Sequence, residues 1–232
     1  MKNGFIIAID GPLASGKGTI AKRLASVLHG IDLYTGAMYR GLALYCLEHH
    51  IDMNDAASVI EQLPKITFKY QEDKIFLNNE DVTQKLQEPK PAAGSSVVGV
   101  IPEVRRDLVK RQRALGLEMM EGGKIVIVEG RDIGTVVFPD AALRLYLTAS
   151  EEVRAKRRLL QYQDQGGSWT FEKVLETIRV RDTRDKERKT DPLASNPEEL
   201  GYTVLDNSDI NESETIDTII SMLKERKLYP TG

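Results

Sequence analysis

Cysteine is almost missing from this chain: Cys46 stands alone among 232 residues. An intrachain disulfide is excluded, and a lone thiol reads as a small packed apolar group rather than a reactive one. Long apolar runs are missing as well, and none approaches the length that crosses a bilayer. Met1-Lys-Asn-Gly4 leads straight into the first apolar segment without the pattern of a signal peptide, so the expectation is a cytoplasmic protein. No strong charge of either sign is present. Thirty-two Lys and Arg against 35 Asp and Glu leave −3, so neither nucleic acid nor an anionic membrane is an expected partner, and any basic site must be local. Aromatic residues make up only 6% and are not interleaved with the basic segments, which disfavours base stacking on RNA or single strands. His49 and His50 are adjacent and point in different directions on a helix, so they do not share a metal. Internal repeats, low-complexity tracts and an Asn-Lys-x-Asp guanine motif are absent, the last of which counts against a GTPase switch.

What is present is concentrated near the N-terminus. Phe5-Ile-Ile-Ala-Ile9, closed by Asp10-Gly11-Pro12, reads as a short strand buried on both faces of a parallel sheet. Gly11-Pro12-Leu13-Ala14-Ser15-Gly16-Lys17 fits the spacing G-x-x-x-x-G-K, and a helical pattern with Ile20, Leu24, Val27 and Leu28 on one face follows it. In such a loop, backbone N–H groups curl around phosphate oxygens and the helix adds its positive end. Lys17 supplies a mobile cation for the β- and γ-phosphates. Gly18 replaces the usual hydroxyl residue, which leaves Thr19 as the nearest hydroxyl for Mg²⁺ or phosphate. The motif points to a nucleotide site.

Further along, Gly30 reads as a helix stop and Ile31–Tyr34 as a strand. Thr35 suits the N-cap of a helix carrying Met38, Leu42, Tyr45 and Cys46. A small helix is expected over 56–63 and a hairpin from Ile66–Tyr70 and Ile75–Leu77, turning at Gln71–Lys74; the polar stretch to Pro91 reads as a loop. A long helix begins at Pro102, with Val104, Leu108, Leu115 and Met119 inward and a basic face that includes Arg105. Lys124–Val128 is a second buried strand, and Glu129-Gly-Arg131-Asp132 stand at its C-terminal end, where ligands bind in open parallel sheets. Leu143–Leu147 and Tyr202–Leu205 complete the strands before a helix from about Glu212. Strands alternating with helices give an α/β fold, a parallel sheet with helices on both faces plus an inserted small antiparallel element.

The segment between the last two strands is rich in arginine. Ser150 caps a helix carrying Arg154, Arg157 and Arg158, and Gln165-Gly-Gly-Ser168 forms a joint. The next helix carries an apolar stripe of Phe171, Val174, Leu175 and Ile178. At the same spacing the stripe continues as Arg181, Asp185 and Arg188, with Arg184 alongside. The bland alternative is an exposed helix held by i,i+4 pairs worth a few tenths of a kcal/mol. Guanidinium forks beside a phosphate loop fit a phosphate clamp better.

Together these residues resemble the bacterial cytidylate kinase family, within the nucleoside monophosphate kinases. The likeness runs over nearly the whole chain and is carried by the loop ending Gly-Lys-Gly-Thr19, by Thr35-Gly-Ala-Met-Tyr-Arg40, by Glu129-Gly-Arg-Asp-Ile-Gly-Thr-Val-Val-Phe-Pro-Asp140, by Arg181-Asp-Thr-Arg-Asp-Lys-Glu-Arg188 and by Asp191-Pro-Leu193. The resemblance implies transfer of the ATP γ-phosphoryl group to CMP or dCMP with Mg²⁺, by a monomer. It implies one kinase domain over 1–232: a core of 1–34, 120–150 and 190–232, a monophosphate-binding region with its insert over 35–119, and a helical lid over 151–189. By position, Arg40, Arg131 and Arg188 would hold the acceptor phosphate. Thr35, Ser96, Arg105 and Asp132 would read the cytosine edge, and Arg181 and Asp185 the sugar hydroxyls. Arg157, Arg158 and Arg184 would belong to the lid over ATP. Two departures stand out: Tyr34 where the family usually has Asp, and Leu13-Ala14 where smaller residues, often with a glycine, are common.

Overall fold

The apolar run at the start of the chain becomes the middle strand of a five-stranded parallel sheet. A computed structural model describes residues 4–71, 74–164 and 166–230. The entry of Met1–Asn3 into the first strand, Glu72 and Asp73 of the expected turn, and Gln165 of the expected joint lie outside the described residues. In chain order the elements are β1 (Phe5–Asp10), α1 (Lys17–Leu28), β2 (Ile31–Tyr34), α2 (Gly36–Glu48), α3 (Ala56–Ile60), β3 (Phe68–Gln71), β4 (Lys74–Leu77) and β5 (Glu80–Asp81). Then come α4 (Pro89–Val98), α5 (Pro102–Glu121), β6 (Ile125–Glu129), β7 (Leu143–Thr148), α6 (Glu151–Asp164), α7 (Phe171–Glu187), β8 (Thr203–Asp206) and α8 (Glu212–Glu225). They divide into two compact units, Met1–Tyr34 with Arg113–Gly232, and Thr35–Gln112.

In the first unit the strand order is β2-β6-β1-β7-β8, every pair parallel. Side chains alternate faces along a strand. Ile7 and Ile9, with Ile127, Leu145, Leu147 and Leu205, therefore meet Ile20, Leu24 and Leu28 of α1 and Ile216, Ile219 and Leu223 of α8. Each such buried side chain contributes about 2 kcal/mol. Val27, expected on this face, is 38% exposed: it lies at the edge of the stripe beside Ile20, and the buried face extends past Leu24 and Leu28 to Ala21 and Ala25 instead. The other face of β1 carries Ala8 and Asp10. There Tyr146 of β7, level with Asp10, packs with Leu193, Ala194 and Tyr202. At the end of α1 the left-handed residue is His29 (φ 51°), not Gly30. A Cβ on Gly30 would stand 2.5 Å from the Ile125 carbonyl, so the glycine is needed for strand approach rather than for the turn.

In the second unit β3, β4 and β5 form a small antiparallel sheet, one short strand more than the expected hairpin. Asp55 caps α3 by accepting from the Ala57 and Ser58 N–H groups, and α3 ends at Ile60, sooner than expected. The stretch read as a loop up to Pro91 runs into α4, which begins at Pro89. Prolines at 89 and 91 look like helix breakers, but first-turn N–H groups need no helical acceptor, so both are tolerated there. α4 packs against α2 closely enough that a Cβ on Gly94 would stand 2.9 Å from that of Ala43. Among the described residues no helix is long and apolar enough to cross a membrane.

Candidate active site

In the first unit, β1 delivers the chain to the glycine-rich loop at the C-terminal edge of the sheet. Gly11 has φ +148° and lies so close to β7 that a Cβ would be 2.0 Å from the Leu147 carbonyl oxygen. No other residue fits there. Gly16 (φ +92°) turns the chain into α1, and Lys17 is the first helical residue. Lys17 is buried, donating from Nζ to the Pro12 carbonyl at 2.7 Å and the Ser15 hydroxyl at 3.3 Å. Burial, with the Arg131 charge nearby, pushes its pKa down to about 7, against the pull of Glu129, Asp10 and Asp185. Gly18 and Thr19 are exposed at the start of α1.

Asp10 ends β1 fully buried. Its carboxylate accepts from the Ile133 N–H at 2.9 Å, the Gly134 N–H at 2.7 Å and the Tyr202 hydroxyl at 2.7 Å. Burial pushes its pKa up to about 6, although both backbone donors favour the ionised form. Those donors sit directly after Arg131 and Asp132, so the carboxylate anchors the turn that carries them. A Cβ on Gly134 would stand 2.9 Å from the Tyr202 ring, which leaves that turn no room to shift.

Arg131 donates through Nε to Asp185 of α7 at 2.7 Å. Burial works against charge on Asp185, but Arg131, Arg181 and Arg188 outweigh it and hold the carboxyl below its ordinary range. Arg188 lies 3.6 Å from Asp132 and donates through Nε to the Asp191 carbonyl at 2.7 Å. Arg131, Asp132, Arg181, Asp185 and Arg188 are thus gathered into one charged cluster, reached from β6 and α7. Of the expected inward stripe, Asp185 is buried and Arg181 and Arg188 are half-buried in this cluster, whereas Arg184 is exposed; Asp182 is a further buried carboxylate on α7. Asp185 pairs with Arg131, which comes from a distant strand end.

The loop is also tied from outside. Asn207, after β8, donates to the Ser15 carbonyl at 3.2 Å and accepts from Arg157 at 2.9 Å. Arg154 of α6 pairs with Asp182 of α7 at 2.5 Å, and both reach Leu13. Arg158 lies 4.4 Å over the Tyr162 ring, which stacks on Trp169. Asp10, Asp182, Tyr202 and Asn207 were not singled out from the sequence; only the double charge pattern of α7 hinted at one of them.

The second unit holds the remaining predicted residues. Thr35 is at the N-cap position of α2 and buried, but its side chain makes no capping bond. Arg40 donates to the Leu86 carbonyl at 2.8 Å. Ser96 lies inside α4 and donates back to the Ala93 carbonyl, while Ser95 beside it is the more buried of the two. Arg105, read from the sequence with a basic surface, is 2% exposed, donates to the Gly99 carbonyl and lies 5.7 Å over the Tyr39 ring.

The family model for cytidylate kinase matches residues 7–225. The chain belongs to the cytidylate kinase family. It is 41% identical over 219 residues to the cytidylate kinase of Caldanaerobacter subterraneus subsp. tengcongensis, covering 94% of each chain. To that of Thermotoga maritima it is 39% identical over 224 residues, covering 96% of this chain and 98% of the relative. An uncharacterized protein from Eubacterium ventriosum of known structure shares the fold, with a TM-score of 0.53 at 13% identity over 95% of this chain and 98% of that one. Family membership makes ATP and small nucleotides the substrates.

Proposed function

We infer that this chain transfers the γ-phosphoryl group of ATP to a phosphate oxygen of CMP or dCMP, giving ADP and CDP or dCDP. The observation that carries the reading is the charged cluster of Arg131, Arg181, Asp185 and Arg188 in the same compact unit as the loop that buries Lys17. An acceptor phosphate oxygen is anionic at neutral pH, so no general base is needed. Catalysis is then alignment plus charge stabilisation. Lys17 follows the β- and γ-phosphates, with the loop N–H groups of 14–19 around them. Arg131 and Arg188 grip the acceptor phosphate together with Arg40. Arg181 and Asp185 take the sugar hydroxyls, and Thr35, Ser96, Arg105 and Asp132 the cytosine edge. Arg157, Arg158 and Arg184 act from the lid of 151–189, which closes over ATP and excludes water.

Mg²⁺ fits this donor set. Mg²⁺ at a phosphate loop is held mainly by phosphates and waters. The exposed hydroxyl of Thr19 is the protein group within the loop that would complete its shell. The ion supplies neutralisation of phosphate charge. We further propose that the enzyme acts on free nucleotides in the cytoplasm as a monomer, with 35–119 forming the acceptor-binding region and 1–34, 120–150 and 190–232 the core.

The test is a coupled assay of ADP formation from ATP and Mg²⁺ across CMP, dCMP, UMP and AMP. CMP and dCMP are expected to be the preferred acceptors. An AMP preference overturns the cytosine-edge assignments, and no acceptor-dependent ADP at all overturns the reaction.

A further inference from the structure

Leu13 is held by both of its backbone polar groups, one from each of the two peptide units it joins. Its N–H donates to Asp182 Oδ1 at 3.0 Å, and its carbonyl accepts from Arg154 Nη1 at 2.9 Å. The two holders pair with each other, Arg154 Nη1 to Asp182 Oδ2 at 2.5 Å, with side chains 6% and 10% exposed. Arg154 spends its Nε on the Ala149 carbonyl at 3.0 Å. A buried ion pair is weak evidence for stability, since desolvation offsets its attraction. Here the pair's donors and acceptors are directed at one loop residue instead.

The Leu13 and Ala14 side chains add an apolar anchor. Both pack against Ala155 of α6 and Val174 and Ile178 of α7. A cavity of about 350 Å³ lies against Pro12, Arg154 and Asp182, so this side of the loop is not backed throughout by packed side chains. The ion pair supplies the hold that packing there does not. Ala14, the next residue, is left-handed at φ 59°, and alternation of hand along a loop makes the N–H concavity that binds anions. Fixing the residue just before that turn fixes where the concavity begins.

We propose that Arg154 and Asp182 are positioning residues for the ATP phosphates, setting the shape of the phosphate loop through the Leu13 backbone and coupling it to the roots of α6 and α7. Neither touches the nucleotide in this scheme. The proposal rests on the kinase reading, and wild-type ADP production with CMP is the control that tests that reading separately. The experiment measures KM for ATP and for CMP in Asp182→Asn, Arg154→Met, Arg154→Lys and the Asp182→Asn/Arg154→Met double variant. Asp182→Asn is expected to raise KM for ATP about tenfold and leave KM for CMP within twofold. Arg154→Lys is expected to recover part of the loss of Arg154→Met, and the double variant to be no worse than the poorer single one, because the two act as a unit. Unchanged KM for ATP with a lower melting temperature, or equal rises in both KM values, overturns the proposal. Hydrogen exchange on the nucleotide-free wild type needs no variant: the Leu13 amide is expected to be protected like the α7 amides. Exchange at the rate of an open loop refutes the hold directly.

Discussion

ATP binding at pH 8 is expected to take up close to one proton per enzyme. Nearly all of Lys17 is removed from water, and its two neutral partners, the Pro12 carbonyl and the Ser15 hydroxyl, do not replace a counter-charge. With its pKa pushed down to about 7, roughly nine-tenths of the free enzyme carries neutral Lys17 at pH 8. Phosphate oxygens restore the charged form. Returning the group to its ordinary value of 10.5 corresponds to roughly 5 kcal/mol of preferential interaction with the ammonium. The assay is titration calorimetry with Mg·ATP at pH 8 in two buffers of different ionisation enthalpy. The slope of observed enthalpy against buffer enthalpy gives the protons taken up. Lys17→Arg, which stays charged in the free enzyme, is expected to bind without uptake. Identical enthalpies in both buffers, or proton release, would refute the account of how Lys17 is held before substrate arrives.

Four further outcomes follow from the same geometry. Without nucleotide, stability is expected to rise between about pH 7 and 10.5, because there the unfolded Lys17 keeps a proton that the folded one sheds; Lys17→Met should flatten that slope in denaturant titrations. Tyr202→Phe, which removes a donor from Asp10, is expected to cost about 1–3 kcal/mol at pH 7 by thermal unfolding and less at pH 5, where Asp10 is mostly protonated. An equal or larger loss at pH 5 would contradict the role of the carboxylate. Ala14→Gly relieves a left-handed alanine and should raise the melting temperature by a few degrees, about 1 kcal/mol; a fall would show that its packing against α6 and α7 outweighs the strain. Arg188→Ala should lower kcat/KM for CMP at least a hundredfold while the melting temperature stays within a few degrees, and near-normal turnover would remove it from the acceptor site.

What could be read from the chain was set by how local the cause is. The strand at Phe5–Asp10, the loop and α1 are adjacent in sequence, and apolar runs with glycine spacing encode them directly. The second sheet and the long helix at Pro102 were legible for the same reason, whereas α4 was hidden by prolines that a first turn accepts. The site was legible in residue type more than in partnership. The periodicity of α7 pointed to the face that carries Arg181, Asp185 and Arg188, but not to Arg131 as the partner of Asp185, because helical spacing says which residues share a face and not which distant charge meets them. Asp10 and Tyr202 are 192 positions apart, and Arg154 and Asp182 are 28. In the sequence Asp10 looks like half of a turn signal. Only the alternation of β1 side chains, which sends Asp10 to the face away from α1 and α8, brings it to the turn after Arg131.

The central claim is that the terminal phosphorus of ATP ends up on CMP. Incubating the protein with Mg²⁺, CMP and ATP labelled at the γ-phosphorus, then separating the nucleotides after single and multiple turnovers, follows that atom itself. The label is expected at the β-phosphate of CDP, with almost none as free phosphate. Labelled inorganic phosphate with CMP left unchanged would contradict the claim.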